Sequence, residues 1–334
     1  MRLGLHEHPH SAGEESVNVS RASSEILTRL AQAQRPDGGW GAVPGVHSNT
    51  EATALGILAL ARWPDRIGPE SLSVGRAWLA EKQNRDGGWP VSEAVPESSW
   101  MTSLAVLALF LSRPEGSSRP ERAVLRGGLW LLAERGRGEH WLVRLLNRVR
   151  PERVEGEPFV VLDFNLIGWP WTTDTFSWVE PTSHAMLALK TLRPFLRARS
   201  LDARLVEGRR MIFDRMCLGG GWNYGNSRVL GEELWPYPDT TALALIALHD
   251  EPSDTRIRES LASLNRMLEA IDSFLALALS ILALRLHGRD VSELQNRLAR
   301  KIESAGAPAD TRSLALSALA MADGVAPFSL SNHA

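Results

Sequence analysis

Two kinds of segment alternate along the chain. Six runs are apolar or small on every side: TALGILAL (Thr53–Leu60), TSLAVLAL (Thr102–Leu109), TSHAMLAL (Thr182–Leu189), TALALIAL (Thr241–Leu248), LALSILAL (Leu277–Leu284) and RSLALSAL (Arg312–Leu319). Alanine and leucine all round a helical wheel predict helices with no solvent face. Before each run lies a segment that is apolar on one face and charged on the other. These are Ser20–Gln34, Glu70–Gln83, Arg119–Arg135, Leu201–Met216, Asp254–Ala270 and Asp290–Glu303. Their periodicity and strong helix formers predict amphipathic helices. Strand-like alternation is confined mainly to EPFVVLDF (Glu157–Phe164).

Six buried helices satisfy all their faces if they form an inner ring and the six amphipathic ones wrap it. The expected fold is therefore all-α, an (α/α)6 toroid in one domain over residues 20–324. Residues 1–19 are expected to be a disordered tail and 325–334 a C-terminal tail. An insertion at about 138–183 breaks the third repeat, too long and too aromatic for an ordinary connection. Alternation also places the N-termini of all six inner helices at one end, so whatever precedes the apolar runs gathers at one mouth.

The connections carry a second signal. QRPDGGWG (Gln34–Gly41) and QNRDGGWP (Gln83–Pro90) are nearly identical, and LGGGWNYG (Leu218–Gly225) keeps the glycines and tryptophan. Glycine ends the outer helix, and the tryptophan is expected to pack between repeats in preference to stacking on a ligand. Gln-x-x-x-Gly-x-Trp after an outer helix resembles the QW motif of the terpenoid cyclase and protein prenyltransferase superfamily. That family includes squalene-hopene cyclases, oxidosqualene cyclases and prenyltransferase β subunits. The resemblance runs from about Ser20 to Gly324 and implies the toroid fold and a hydrophobic, isoprenoid-like ligand in a central cavity.

The resemblance also nominates an acid. Squalene-type cyclases protonate their substrate from Asp-x-Asp-Asp-Thr-Ala, and PDTTA (Pro238–Ala242) places Asp239 at that position without the flanking acids. Those enzymes join two barrels, whereas this chain has length for one, leaving room for a second barrel from a partner or for a homo-oligomer. Prenyltransferase β subunits hold zinc through Asp-x-Cys, but Thr241 stands where the cysteine belongs, and the aspartate-rich magnesium motif is absent. Neither a metal nor a cofactor is expected.

The repeat offers Asp239 a competing explanation. At the equivalent place stand Glu51, Trp100, Glu180, Asp239, Leu275 and Asp310, four of them acidic. Acids in a first helical turn accept unpaired N–H groups, so capping alone predicts this recurrence. Capping is the favoured reading, while mutual repulsion at a shared mouth would let one acid hold its proton. GWPWTTDTFSWVEPT (Gly168–Thr182) brings aromatic residues to the same end. The candidate catalytic residues are thus Asp239, Glu180 and Asp174. Trp169, Trp171, Trp178, His184, Trp222, Tyr237, Glu51 and Asp310 are expected to line the ligand site, the aromatic faces steadying a carbocation; the alternatives are that the aromatics plug the barrel or pack on the insertion, and that His184 is simply hydrogen bonded.

Composition narrows the remaining choices. A net charge of −2 over 334 residues offers no basic field for nucleic acid. The single cysteine, Cys217, excludes an internal disulfide and a Cys-rich zinc site, and is expected to be buried. His6, His8 and His10 alternate in a segment with nothing to hold them rigid, so no metal site is expected there. No apolar run reaches the roughly 20 residues needed to cross a bilayer, and the start has no signal-like apolar core. A cytoplasmic protein is the expectation. Its most consistent function is a proton-initiated cyclase acting on an isoprenoid-like ligand. The alternatives are a non-catalytic lipid- or protein-binding toroid and a carbohydrate-active (α/α)6 enzyme, which would use two carboxylates across a tryptophan-lined cleft.

Overall fold

The computed structural model describes residues 12–114, 116–117, 119–138, 162–324 and 328–330. In chain order the helices are α1 (Ala12–Gln32), α2 (Thr50–Leu60), α3 (Pro69–Glu81), α4 (Met101–Leu111), α5 (Arg122–Ala133) and α6 (Val179–Thr191). They continue with α7 (Leu201–Asp214), α8 (Pro238–Ala247), α9 (Thr255–Leu268), α10 (Phe274–Leu286), α11 (Ser292–Ala305) and α12 (Thr311–Met321). The even-numbered helices are the apolar runs: α2 buries every residue except Glu51, and α4 every residue except Leu111. The odd-numbered ones are amphipathic, and α11 buries only Leu298, Ala299 and Ile302. Each even helix packs on the next, and α12 packs on α2, so the six form a ring. Thr311 joins its ends, its hydroxyl donating to Gly41 O at 2.6 Å and its N–H to Ala42 O at 2.9 Å. The expected all-α toroid is the observed fold.

Each tryptophan of the Gly-Gly-Trp loops is a nail between three helices. Trp40 and Trp89 are fully buried, and their indole N–H groups donate to Leu30 O and Leu79 O at the end of the preceding outer helix. Their backbone N–H groups donate to Thr53 and Thr102 Oγ1 at 2.9 and 2.8 Å, tying the loop to the following inner helix. Their rings lie against Gly75 and Gly127 of the next outer helix, where a Cβ would come within 2.7 Å of the indole. Gln34 and Gln83 close the loop by donating to Gly38 O and Gly87 O, and also to the next outer helix at Ser71 O and Ala123 O. Gly38 and Gly87 need φ of 92° and 102°, in the left-handed region that favours glycine. Short hairpins complete these connections, with β1 (Trp89–Ser92) pairing β2 (Val95–Ser99) and β3 (Arg228–Val229) pairing β4 (Glu232–Glu233).

The same nail occurs twice more. Trp222 donates to Ile212 O and binds Thr241 Oγ1, and Trp169 donates to Leu131 O and binds Thr182 Oγ1. The aromatic stretch from Gly168 is therefore the third repeat's own connection, and its glutamine is replaced by Arg204. Arg204 stacks on Trp169 at 3.9 Å and donates to Ile167 O, Gly168 O and Glu134 O. The 13-residue interval from tryptophan to threonine, common to Trp40, Trp89 and Trp169, is the sequence signal for this loop.

Some boundaries move. α1 begins at Ala12, ahead of Ser20, so part of the expected tail is helical. His6, His8 and His10, and residues 139–161 of the insertion, lie outside the described residues. So does most of EPFVVLDF, and its residues 162–164 form no strand. Cys217 is buried, and burial pushes its thiol upward.

Candidate functional site

The shared direction of the inner helices brings their first turns to one mouth. Glu51, Glu180 and Asp239 occupy the first turns of α2, α6 and α8, and Asp310 immediately precedes α12. Capping explains only the last of these: Asp310 Oδ1 accepts the Ser313 N–H at 2.8 Å. α2 is capped by Asn49, and the N-cap residues of α6 and α8, Trp178 and Tyr237, supply no side-chain bond, which leaves Glu180 and Asp239 as first-turn acids that complement the helix dipole.

The acids converge instead on Arg312, which the sequence reading did not nominate. Its guanidinium lies 3.3 Å from Glu51 Oε1 and 2.6 Å from Glu180 Oε1. Burial pulls Arg312 downward, but Glu180, Glu51 and Asp239 outweigh it and hold the guanidinium above its ordinary value. The available signal was its register. Arg312 stands where four inner helices carry the loop-binding threonine, in a repeat that has no tryptophan to bind.

Glu51 is the acid whose environment favours the protonated form. Burial is the main cause, reinforced by the negative charges of Glu180 and Asp310 and opposed by Arg312. His184 sits one turn into α6, with Nδ1 3.1 Å from Glu180 O and its ring 5.5 Å from Trp100. A carbonyl only accepts, so Nδ1 carries the hydrogen and Nε2 keeps its lone pair. Burial drops the imidazole to about 4, leaving it neutral at pH 7.

Beneath these groups runs a narrow axial cavity. Glu51, His184 and Arg312 line its upper end, and Leu55, Leu104, Leu187, Leu279 and Leu316 are among the residues of its apolar wall. Its volume is about 20 Å³, room for about one water. A larger cleft of about 670 Å³ lies on the outer wall between α9 and α11, in the fifth repeat, which lacks the tryptophan nail. None of the four mouth acids lines it; its lining includes Leu261, Leu268, Arg258 and Arg297.

An aromatic group borders the mouth. Trp171 stacks on Trp178 with centroids 5.0 Å apart, and Tyr224 lies 6.2 Å from Trp171 and 5.3 Å from Tyr237. The negative charge of Asp239 raises the Tyr224 hydroxyl, which puts that carboxylate on the aromatic side of the mouth. Tyr224 was absent from the expected set, although NYG follows the third Gly-Gly-Trp.

Several nominated residues lie elsewhere. Trp169 and Trp222 are 1% and 0% exposed between helices, so they are nails and not ligand contacts. Asp174 is an exposed turn residue at φ 64°, and the group it influences is Glu134 on the outer rim. Asp239 is partly exposed at the mouth and does not line the axial cavity. Among the described residues no cluster of three His, Cys, Asp or Glu could hold a metal, and no helix is long and apolar enough to cross a membrane.

No family description and no curated protein matches the sequence. Solved structures do. The type II terpene cyclase MstE from Scytonema, in its apo form, aligns with a TM-score of 0.53 and 16% identity over 85% of this chain and 78% of that one. A variant of MstE has been solved with geranylgeranyl dihydroxybenzoate, its substrate, at 15% identity over 86% and 78% of the chains and a TM-score of 0.53. A glycosidase variant aligns with a TM-score of 0.57 and 11% identity over 95% of this chain and 98% of that one. At these identities the likeness is one of fold: this chain has a terpenoid-cyclase-like helical toroid.

Proposed function

We propose that the protein binds an isoprenoid-like ligand along the toroid axis and cyclises it by protonation, with Glu51 as the proton donor. The observation that carries this reading is the placement of Glu51, Arg312 and neutral His184 together at the head of an apolar cavity. An alkene needs a donor that is protonated before reaction and whose conjugate base is stabilised after it. Burial and the neighbouring acids shift Glu51 towards the first condition, and the Arg312 guanidinium supplies the second. The Glu51 proton adds to one carbon of a terminal C=C bond, and the carbocation on the other carbon is attacked by the next double bond. The reaction ends when a C–H bond beside the last cation breaks. Its electrons form the new C=C, its proton passes to His184 Nε2, and return of that proton to Glu51 closes a redox-neutral cycle. Trp171, Trp178, Tyr224 and Tyr237 would receive the ligand at the mouth and steady positive charge there. Asp239 and Glu180 keep supporting roles, Glu180 by holding Arg312 and the His184 ring. MstE, a cyclase of the same fold with a prenylated substrate, supports the substrate class.

The test is incubation with farnesol, geranylgeraniol and squalene, with products read by gas chromatography and mass spectrometry. Glu51→Gln is expected to lower turnover roughly 100-fold or more while leaving the protein at least as stable at pH 7. The second half follows from linkage. The folded-state pKa of Glu51 lies above its ordinary 4.5, so its protonated form stabilises the fold fully below that value. That stabilisation is lost as pH rises through the folded value. Glutamine removes this loss, and melting curves of variant and wild type should converge as pH falls towards 4.5. Retained turnover in Glu51→Gln would remove Glu51 from the chemistry.

The glycosidase likeness favours a second reading, because it spans nearly the whole of both chains. Glu51 and Glu180, held by one guanidinium beside stacked indoles, would then act as paired carboxylates on a sugar. Release of nitrophenol from aryl glycosides, with no conversion of the polyprenyl compounds, would select it.

A further inference from the structure

Among the described residues, those that line the axial cavity come from inner helices, with Phe328 as the exception. Phe328 belongs to the chain end that follows α12, yet its side chain shares the cavity with residues of all six inner helices, among them Leu187, Ile246 and Leu316. It is 7% exposed. Its segment is tied down beyond it, where the Leu330 N–H donates to His249 Nε2 at 3.4 Å. His249 follows the C-terminal end of α8, and its Nδ1 donates to Ile246 O at 2.7 Å, which leaves Nε2 as the acceptor this bond needs. Phe328 therefore reaches the axis from the side opposite the acidic mouth.

We propose that Phe328 is the length stop of the ligand site: its side chain occupies the deep part of the axial cavity and sets how far an apolar ligand enters. This rests on the reading that ligands bind along the axis. The volume argues for it. With Phe328 in place only about 20 Å³ remains free below the acids, too little for any prenyl unit. The walls next to the phenyl ring are leucine and isoleucine, so withdrawing the ring leaves a void of the apolar kind that stays dry and takes up hydrocarbon. Ligand and Phe328 thus compete for one space, and a ligand long enough to reach the ring must displace it.

Straight-chain saturated alcohols test this without calling on any chemistry, since they have no double bond to protonate and no glycosidic bond. Affinities of hexanol, dodecanol and hexadecanol would be measured by displacement of N-phenyl-1-naphthylamine fluorescence from the full-length protein. Phe328→Ala is expected to bind dodecanol and hexadecanol about tenfold or more tighter than wild type, with little change for hexanol. Phe328→Leu should fall between, and Phe328→Trp should weaken all three. Thermal melts with and without alcohol show that each variant is folded, and Phe328→Leu serves if Phe328→Ala is not. Equal chain-length preference in wild type and the folded variants would overturn the proposal, as would absence of alcohol binding in all of them. Length-dependent binding with no product from any polyprenyl compound would uphold it and sink the cyclase reading. Polyprenyl conversion with an unchanged length preference would do the reverse.

Discussion

Replacing Trp89 by alanine is expected to cost about 3–5 kcal/mol and to lower the melting temperature on the order of 5–10 °C. The indole is fully buried, lies against Val106 and Gly127 through shared contacts, and fills the seam between α3, α4 and α5. Its loss removes a large apolar surface and leaves Leu79 O without its indole donor. Glycine at Gly127 cannot close over the gap, because it has no side chain to offer. Trp40, Trp169 and Trp222 occupy equivalent seams with equivalent bonds, so alanine at each should cost a similar amount. Trp235 is the control: it is 84% exposed, and Trp235→Ala should stay within about 0.5 kcal/mol of wild type. Urea or thermal unfolding in which Trp89→Ala matches wild type would show that these residues do not join the repeats.

Arg312→Ala is the second large effect, about 2–4 kcal/mol at pH 7. The side chain is 30% exposed and its partner Glu180 11%, so the pair is partly shielded from solvent and the full value for a buried pair does not apply. Removing the guanidinium leaves Glu51 and Glu180 facing each other with no counter-charge between them. Arg312 is also the influence that holds Glu51 down, so its pKa, already above 4.5, rises further in the variant. A raised folded-state pKa gives stability that is present at low pH and fades as pH climbs through the folded value. The deficit of Arg312→Ala against wild type should therefore be smallest near pH 4 and grow towards pH 7. The double variant Arg312→Ala with Glu180→Gln should recover part of the loss by removing one of the opposed charges. A deficit that does not vary with pH would show that Arg312 acts by packing alone.

The fold was legible because each repeat declares itself locally. Apolar runs such as Thr241–Leu248 have no polar face, and the segments before them have one, so ring and wrapping follow from the need to bury each face. The Gly-Gly-Trp loops were legible for the same reason. The third repeat hid its loop, because Arg204 of α7 does the work that glutamine does elsewhere, and that substitute arrives from a different helix. The candidate site was legible only in part. The sequence placed Glu51, Glu180, Asp239 and Asp310 in or beside first helical turns at one mouth, but it could not show that, of the four, Asp310 is the one that stands as N-cap and accepts the cap bond. It missed Arg312 and Tyr224, and it assigned Trp169 and Trp222 to ligand contact when both are nails.

What the sequence determined by itself was the alternation of helices, and with it the toroid and the gathering of first-turn acids at one end. Those properties depend on periodicity within short segments, which a single chain displays openly. The tertiary structure decided which charges meet and how much space remains. Arg312 and Glu180 are 132 residues apart and touch because α12 returns to α2 and completes the ring. Phe328, beyond α12, meets residues of all six inner helices at the axis, where the free space is about 20 Å³. Neither contact leaves a trace in local pattern, because each is set by closure of the whole ring.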